Sequence, residues 1–336
     1  MIVSAIARAV AREDLSRELA RVSMEQILAG EASGAQIAAL AIALRMKGET
    51  ADEIAGMAEA MRRRVPPLRT RRAPLLDTCG TGGGVAGSKF NISTTVAVVT
   101  ASCGVAVAKH GNRSVTSRTG SADVLEALGV RLDLTPENAG RSLDHLGLTF
   151  LFAPNYHSAM RNAADARKDM GVRTVFNLLG PLTNPAGASR QLLGVYADTY
   201  VATLAEVLRQ LGSERAMIVH GADGMDELSV FAKNHVAELE DGRIREYTLD
   251  PAEYGLAHTD RAAVAGGSPQ ENATRIRAVL AGETGPARDI VVLNAAAALV
   301  VAGVATDLRA GIERARQALD SGEAARKLDE LAGFRG

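Results

Sequence analysis

From residue 75 onward this chain of 336 residues, without any internal sequence repeat, alternates short apolar runs, turns carrying glycine and apolar positions at helical spacing. Residues 75–76 lead into Gly80-Thr81-Gly82-Gly83-Gly84, residues 105–108 end at Lys109, residues 149–152 form a further run, and residues 216–219 enter His220-Gly221. Helical periodicity covers 93–101, and Thr135-Pro136-Glu137 starts another helix with proline in its first turn. Strand and helix in alternation predict a largely parallel sheet with helices on its faces. Residues 236–239 and 244–247 about Asp241-Gly242 read as a hairpin, and Ser268-Pro269-Gln270-Glu271 as a capping box.

The first 65 residues carry only helical spacing, at 15–27 and 37–44, with Gly30 and Gly48 as stops and Thr50-Ala51-Asp52-Glu53 as a capping box. A basic, proline-bearing stretch, 62–74, reads as the linker. The expected fold class is therefore α/β: a small all-helical domain plus a larger α/β domain with a mostly parallel central sheet flanked by helices.

Lys plus Arg (38) nearly balance Asp plus Glu (39), so no global field points to nucleic acid and any anion must be held locally. Two cysteines, Cys79 and Cys103, exclude a disulfide framework and zinc spacing, which favours a reducing cytoplasm. The N-terminus lacks signal-peptide features, and the longest apolar run, 290–304, is broken by Asn294 and is shorter than the ~20 residues a membrane helix needs. A soluble cytoplasmic protein with no membrane partner is expected.

Three stretches carry chemistry. The Gly-rich turn, followed by Asn91-Ile92-Ser93-Thr94 at a helix start, can converge backbone N–H groups and hydroxyls on a phosphate. Lys109-His110-Gly111-Asn112-Arg113-Ser114 reads either as a solvated loop or as a ligand contact, His110 being a proton shuttle or a structural histidine. Asp226-Glu227 at a strand end suits Mg²⁺ held together with substrate phosphates. Cys79 has no base beside it and reads as a packed small residue. The basic residues 161–168 fall on an expected helix before Gly171, and the turn-rich segment 176–185 reads as a hinge.

Six ordered segments resemble the anthranilate phosphoribosyltransferase family: Asp77-Thr78-Cys79-Gly80-Thr81-Gly82-Gly83; Phe90-Asn91-Ile92-Ser93-Thr94; Lys109-His110-Gly111-Asn112-Arg113; Gly120-Ser121-Ala122-Asp123; Gly171-Val172-Arg173-Thr174 with Gly180-Pro181-Leu182-Thr183-Asn184-Pro185; and His220-Gly221 through Asp226-Glu227-Leu228-Ser229. The resemblance implies transfer of the phosphoribosyl group from phosphoribosyl pyrophosphate (PRPP) to the amine of anthranilate, in tryptophan biosynthesis. It implies that Gly80, Gly83, Gly84, Ser88, Asn91, Ser93, Thr94, Lys109, His110, Gly111, Asn112, Arg113, Ser117 and Ser121 hold PRPP, and that Gly80, Asn112 and Arg167 hold anthranilate. Ser93, Asp226 and Glu227 would ligate Mg²⁺, two ions per subunit, and Lys109, Asn112, Asp226 and Glu227 would carry the catalysis. A homodimer through the helical domain is implied too, with residues 1–68 and a returning segment near 165–188 in that domain, and 72–164 with 189–336 in the α/β domain. The related pyrimidine nucleoside phosphorylases share the fold. A different acceptor, or phosphoribosyl binding without chemistry, is the alternative reading.

The chain departs from the family pattern in places. Gly84 stands where the family usually has Asp, the loop 84–89 is one residue longer, Ser158 replaces a usual Pro, and Asp165 stands where Pro is common.

Overall fold

The computed structural model describes residues 1–82, 89–114 and 118–336. Helix starts lie where side chains can take orphan N–H groups. After α1 (Ile2–Val10), Ser16 caps α2 (Arg17–Ala29), while Ser33 with Gln36 and Thr50 with Glu53 make capping boxes on α3 (Gly34–Lys47) and α4 (Ala51–Arg62). Gly30 and Gly48 end α2 and α3 with φ of 76° and 93°. Glu53 does more than cap. Fully buried, it accepts from the N–H of Thr50 and of Leu15, each at 2.8 Å, and lies 3.1 Å from Lys47 Nζ.

The stretch after α4 has no regular structure up to β1 (Leu76–Gly80), as expected of a linker, yet it is not loose. Asp144 accepts from Thr70 Oγ1 (2.6 Å) and Arg71 N (2.8 Å), which ties the stretch to α7 below.

The chain continues through α5 (Ile92–Ser102), β2 (Val107–Gly111), α6 (Ser121–Ala127), α7 (Pro136–Leu146), β3 (Leu148–Phe152), α8 (Ala153–Tyr156), α9 (Ala164–Met170), α10 (Val175–Leu179), β4 (Arg190–Gly194), α11 (Val201–Gln210), β5 (Arg215–Gly221), β6 (Asn234–Glu240), β7 (Arg243–Leu249), α12 (Pro269–Leu280), α13 (Pro286–Val301), α14 (Leu308–Asp320) and α15 (Glu323–Gly333). Among the described residues seven strands form one sheet in the order β3-β2-β1-β4-β5-β6-β7. β1 to β5 pair in parallel, and the expected hairpin, β6–β7, adds an antiparallel edge. His157 and the basic residues 161–168, expected on one helix, are not on one: His157 precedes a 3₁₀ turn (Ser158–Ala163) that holds Arg161, and α9 follows it.

Strand residues alternate between two cores. Met217 and Val219 of β5 join the core under α5 and α12–α15, whereas Ala216 and Ile218 face the core shared with α1–α4, α9, α10 and α11. The apolar run 290–304 falls largely in α13, which is apolar all round because it is enclosed by protein. Among the described residues no helix is long and apolar enough to cross a membrane.

Candidate active site

The sheet order reverses at β1, since the chain fills β2 and β3 on one side and then β4 and β5 on the other. Such a reversal opens a crevice beyond the carboxyl ends of the strands. Gly80 and Gly194, the last residues of β1 and β4, are register partners there. The loop after β5 closes over them: a Cβ on Gly194 would collide with the Asp226 carbonyl oxygen, and one on Gly80 would lie 3.0 Å from Asp226 Oδ2. The crevice has a volume of about 640 Å³. Gly80, Asn91, Ser93, Thr94, Lys109, His110, Gly111, Asn112, Arg113, Ser121, Arg167, Asp226 and Glu227 all line it. Gly83, Gly84, Ser88 and Ser117 lie outside the described residues.

Asp226 and Glu227 are buried, and Lys89 places its Nζ 2.8 Å from Asp226 Oδ1 and 3.2 Å from Glu227 Oε1. Burial raises the Glu227 pKa, with Lys89 opposing. For Asp226 burial is outweighed by the charge and hydrogen bond of Lys89, and the carboxyl falls below its usual range. No group of three or more His, Cys, Asp or Glu suited to a metal occurs among the described residues. Two carboxylates and the Ser93 hydroxyl still fit Mg²⁺, which takes few protein ligands and fills its shell with water and phosphate oxygens. The seat already accepts a cation, that of Lys89.

Lys109, His110 and Gly111 belong to β2 itself, so the loop expected there begins only at Asn112. Lys109 Nζ donates to the Thr78 carbonyl at 2.6 Å and to Ser93 Oγ at 3.4 Å. Burial lowers its pKa, against the attraction of Asp77. Asp77, wholly buried in β1, is oriented by His110 N (3.1 Å) and Asn184 Nδ2 (2.8 Å), the latter also donating to Ala108 O at 2.7 Å. The segment expected as a hinge is thus pinned to the sheet. Asn91 stands at the N-cap of α5 but its side chain does not cap it: it donates to Thr119 O (3.2 Å) and accepts from Asn272 Nδ2 (3.0 Å). That leaves the first turn of α5 facing the crevice as an anion seat. Thr94 Oγ1, buried beside it, has no hydrogen-bond partner among the described residues.

Across the crevice Arg167, in the last turn of α9, lies with its guanidinium 5.6 Å from the Phe176 ring centroid. Burial lowers its pKa, and no ion pair with a described carboxylate forms. Asn112 is exposed at the rim, its Oδ1 accepting from Arg113 N at 2.8 Å and its carbonyl from Ser121 Oγ at 3.2 Å. Arg113 pairs with Asp123 (2.8 Å) and Glu126 (3.0 Å). His110 packs on His157 with ring centroids 5.1 Å apart, and neither Nε2 has a partner. Burial, with His157 adding to it, pushes His110 down to about 3, and burial alone pushes His157 to about 4. A histidine so acidic is a poor proton acceptor at neutral pH, so the shuttle role finds no support. Cys79 is a packed residue as expected: buried, taking Gln191 Nε2 at 3.0 Å, its thiol pKa raised by burial and then by Asp77.

A family model described as "Glycosyl transferase family, a/b domain" matches residues 72–325, and "Glycosyl transferase family, helical bundle domain" matches 3–65. An anthranilate phosphoribosyltransferase of Myxococcus xanthus is 56% identical over 328 residues, covering 97% of each chain. The chain belongs to the anthranilate phosphoribosyltransferase family. It is accordingly a glycosyltransferase-type enzyme. The crystal structure of the family member from Thermus thermophilus superposes with a TM-score of 0.92 at 47% identity, covering 98% of both chains. The Saccharomyces cerevisiae member in complex with PRPP and Mg superposes with a TM-score of 0.88 at 27% identity, covering 98% of this chain and 96% of that one.

Several crevice residues received no site role from the sequence. Lys89, Arg118 and Arg173 line it, and Asp77, Asn184 and His157 support it from behind. An acid inside an apolar strand was the available signal for Asp77. Lys89 offered none, because its partners lie far along the chain.

Proposed function

We propose that the crevice at the β1–β4 switch point is where the family reaction, transfer of the phosphoribosyl group from PRPP to the amine of anthranilate, takes place in this chain. The observation that carries this reading is the buried pair Asp226–Glu227, which packs against the strand-end glycines Gly80 and Gly194 and holds a cation, that of Lys89.

As the bond from the anomeric carbon to pyrophosphate lengthens, negative charge grows on the leaving group and positive charge on the ribose. The first turn of α5, with Ser93 and Thr94, and the Lys109 ammonium are set to hold the phosphates. Gly80, Asn91, His110, Gly111, Asn112, Arg113 and Ser121 complete the PRPP wall, and Gly83, Gly84, Ser88 and Ser117, outside the described residues, are assigned to PRPP by the family resemblance alone. Asp226, Glu227 and Ser93 are the metal ligands, for two Mg²⁺ per subunit; the bound ions supply charge neutralisation of the departing pyrophosphate. Gly80, Asn112 and Arg167 form the anthranilate seat, where the guanidinium pairs with the substrate carboxylate. An aromatic amine is unprotonated at neutral pH, so positioning does the work of a base.

The two units, 1–68 with a returning segment near 165–188 and 72–164 with 189–336, close over the substrates. Val3, Val10, Ile42 and Met46 lie exposed on α1 and α3, which supports a homodimer through the helical unit. Two free cysteines suit the cytoplasm.

The test is the double substitution Asp226→Asn with Glu227→Gln. Mg²⁺-dependent turnover falls by roughly 10²- to 10³-fold or more if these residues hold the ion; turnover left intact refutes the metal assignment.

A further inference from the structure

Lys89 is held by its backbone. It pairs with Ala265 in an isolated antiparallel bridge, and the next residue, wholly buried Phe90, donates its N–H to Val264 O at 3.1 Å. From this anchor the side chain, 19% exposed along its stem, carries a buried Nζ into the gap between Asp226 and Glu227. The distances are 2.8 and 3.2 Å, so the ammonium sits as a compact charge between two carboxylates. That is also the position a divalent ion ligated by both carboxylates would need.

The Lys89 ammonium already lies within 3.2 Å of both carboxylates, so an ion ligated by the pair would have to share its place. Like charges a few ångströms apart in a buried site repel strongly. We propose that the Lys89 ammonium is a tethered cation that holds the Asp226–Glu227 seat in the substrate-free protein and must leave before a divalent ion can enter. The inference rests on the reading of those carboxylates as metal ligands. It gives the substrate a role in loading the metal: the pyrophosphate brings oxygens for the ion and an anion for the displaced ammonium, so ion and PRPP bind cooperatively. Free protein then binds the ion weakly.

Mn²⁺ titration of the substrate-free full chain, followed by electron paramagnetic resonance, tests this. Lys89→Met is expected to bind Mn²⁺ at least about tenfold tighter than the unsubstituted chain, Lys89→Arg to stay weak, and Asp226→Asn with Glu227→Gln to abolish the gain in the Lys89→Met background. Mn²⁺ binding that is equally tight before and after Lys89→Met, yet lost on removing the carboxylates, overturns the inference and leaves the metal reading standing. Mn²⁺ binding in Lys89→Met that survives loss of both carboxylates overturns both. Lys89→Gln replaces Lys89→Met should the latter not fold, and the rise in melting temperature on adding Mn²⁺ gives a second readout of the same ranking.

Discussion

Gly194 lies so close under the carbonyl of Asp226 that a Cβ at this position would overlap the oxygen. The end of β4 therefore sets the height of the acidic loop above the sheet, and Gly194→Ala must push that loop away. The expected cost is about 1–3 kcal/mol of stability, read by urea denaturation, together with a higher Mg²⁺ concentration for half-maximal rate. A shift in stability with the Mg²⁺ dependence unchanged would separate the loop from the metal.

Arg167 has no described carboxylate partner and faces the crevice. Removing it as Arg167→Ala should raise KM for anthranilate by about 10- to 100-fold, the worth of a charge-assisted hydrogen bond. KM for PRPP should hold steady in steady-state kinetics. A rise confined to PRPP would move the anthranilate seat elsewhere.

The two packed histidines predict an acid-sensitive fold. Both His110 and His157 are lowered by burial, to about 3 and about 4, below the ordinary value near 6.5. In that interval the unfolded chain binds protons that the folded chain does not, so stability present at neutral pH is lost as pH falls from 6.5 toward 3 to 4. At pH 5 each neutral imidazole accounts for about 2 kcal/mol of the loss. Urea denaturation at pH 7 and pH 5 should show a smaller difference for His110→Gln with His157→Gln than for the unsubstituted chain; equal differences would show that the pair does not titrate with unfolding.

The exposed apolar positions on the helical unit bear on assembly. Val10 is 68% and Met46 67% exposed, and with Ile42 they border a groove of about 570 Å³ between α1 and α3. A second copy of the chain seated there would bury them. Ile42→Asp with Met46→Asp should convert a dimer to monomers in sedimentation equilibrium, whereas a dimer that survives lies on another face.

The strand ends and helix starts were legible because their signals are local. The run 105–108 announced β2, and the boxes at Thr50–Glu53 and Ser268–Glu271 opened α4 and α12 where expected. β4 passed unread, since Arg190 and Gln191 interrupt its pattern and only pairing with β1 and β5 makes it a strand. His110 read as a loop residue because charge and glycine around it suggested solvent, while Asp77 and Asn184 make that same stretch part of the buried sheet. Within the site, residues on contiguous motifs were found. Lys89 was not: its contact with Asp226 and its bridge to Ala265 join it to two segments far along the chain, and nothing in the local spacing records either.

The central claim concerns one reaction in one crevice, and release of pyrophosphate from PRPP with Mg²⁺, measured with and without anthranilate, tests it most directly. The account predicts release that requires anthranilate and that fails in Asp226→Asn with Glu227→Gln. PRPP binding with no release under either condition, or release driven equally by another acceptor, would contradict it.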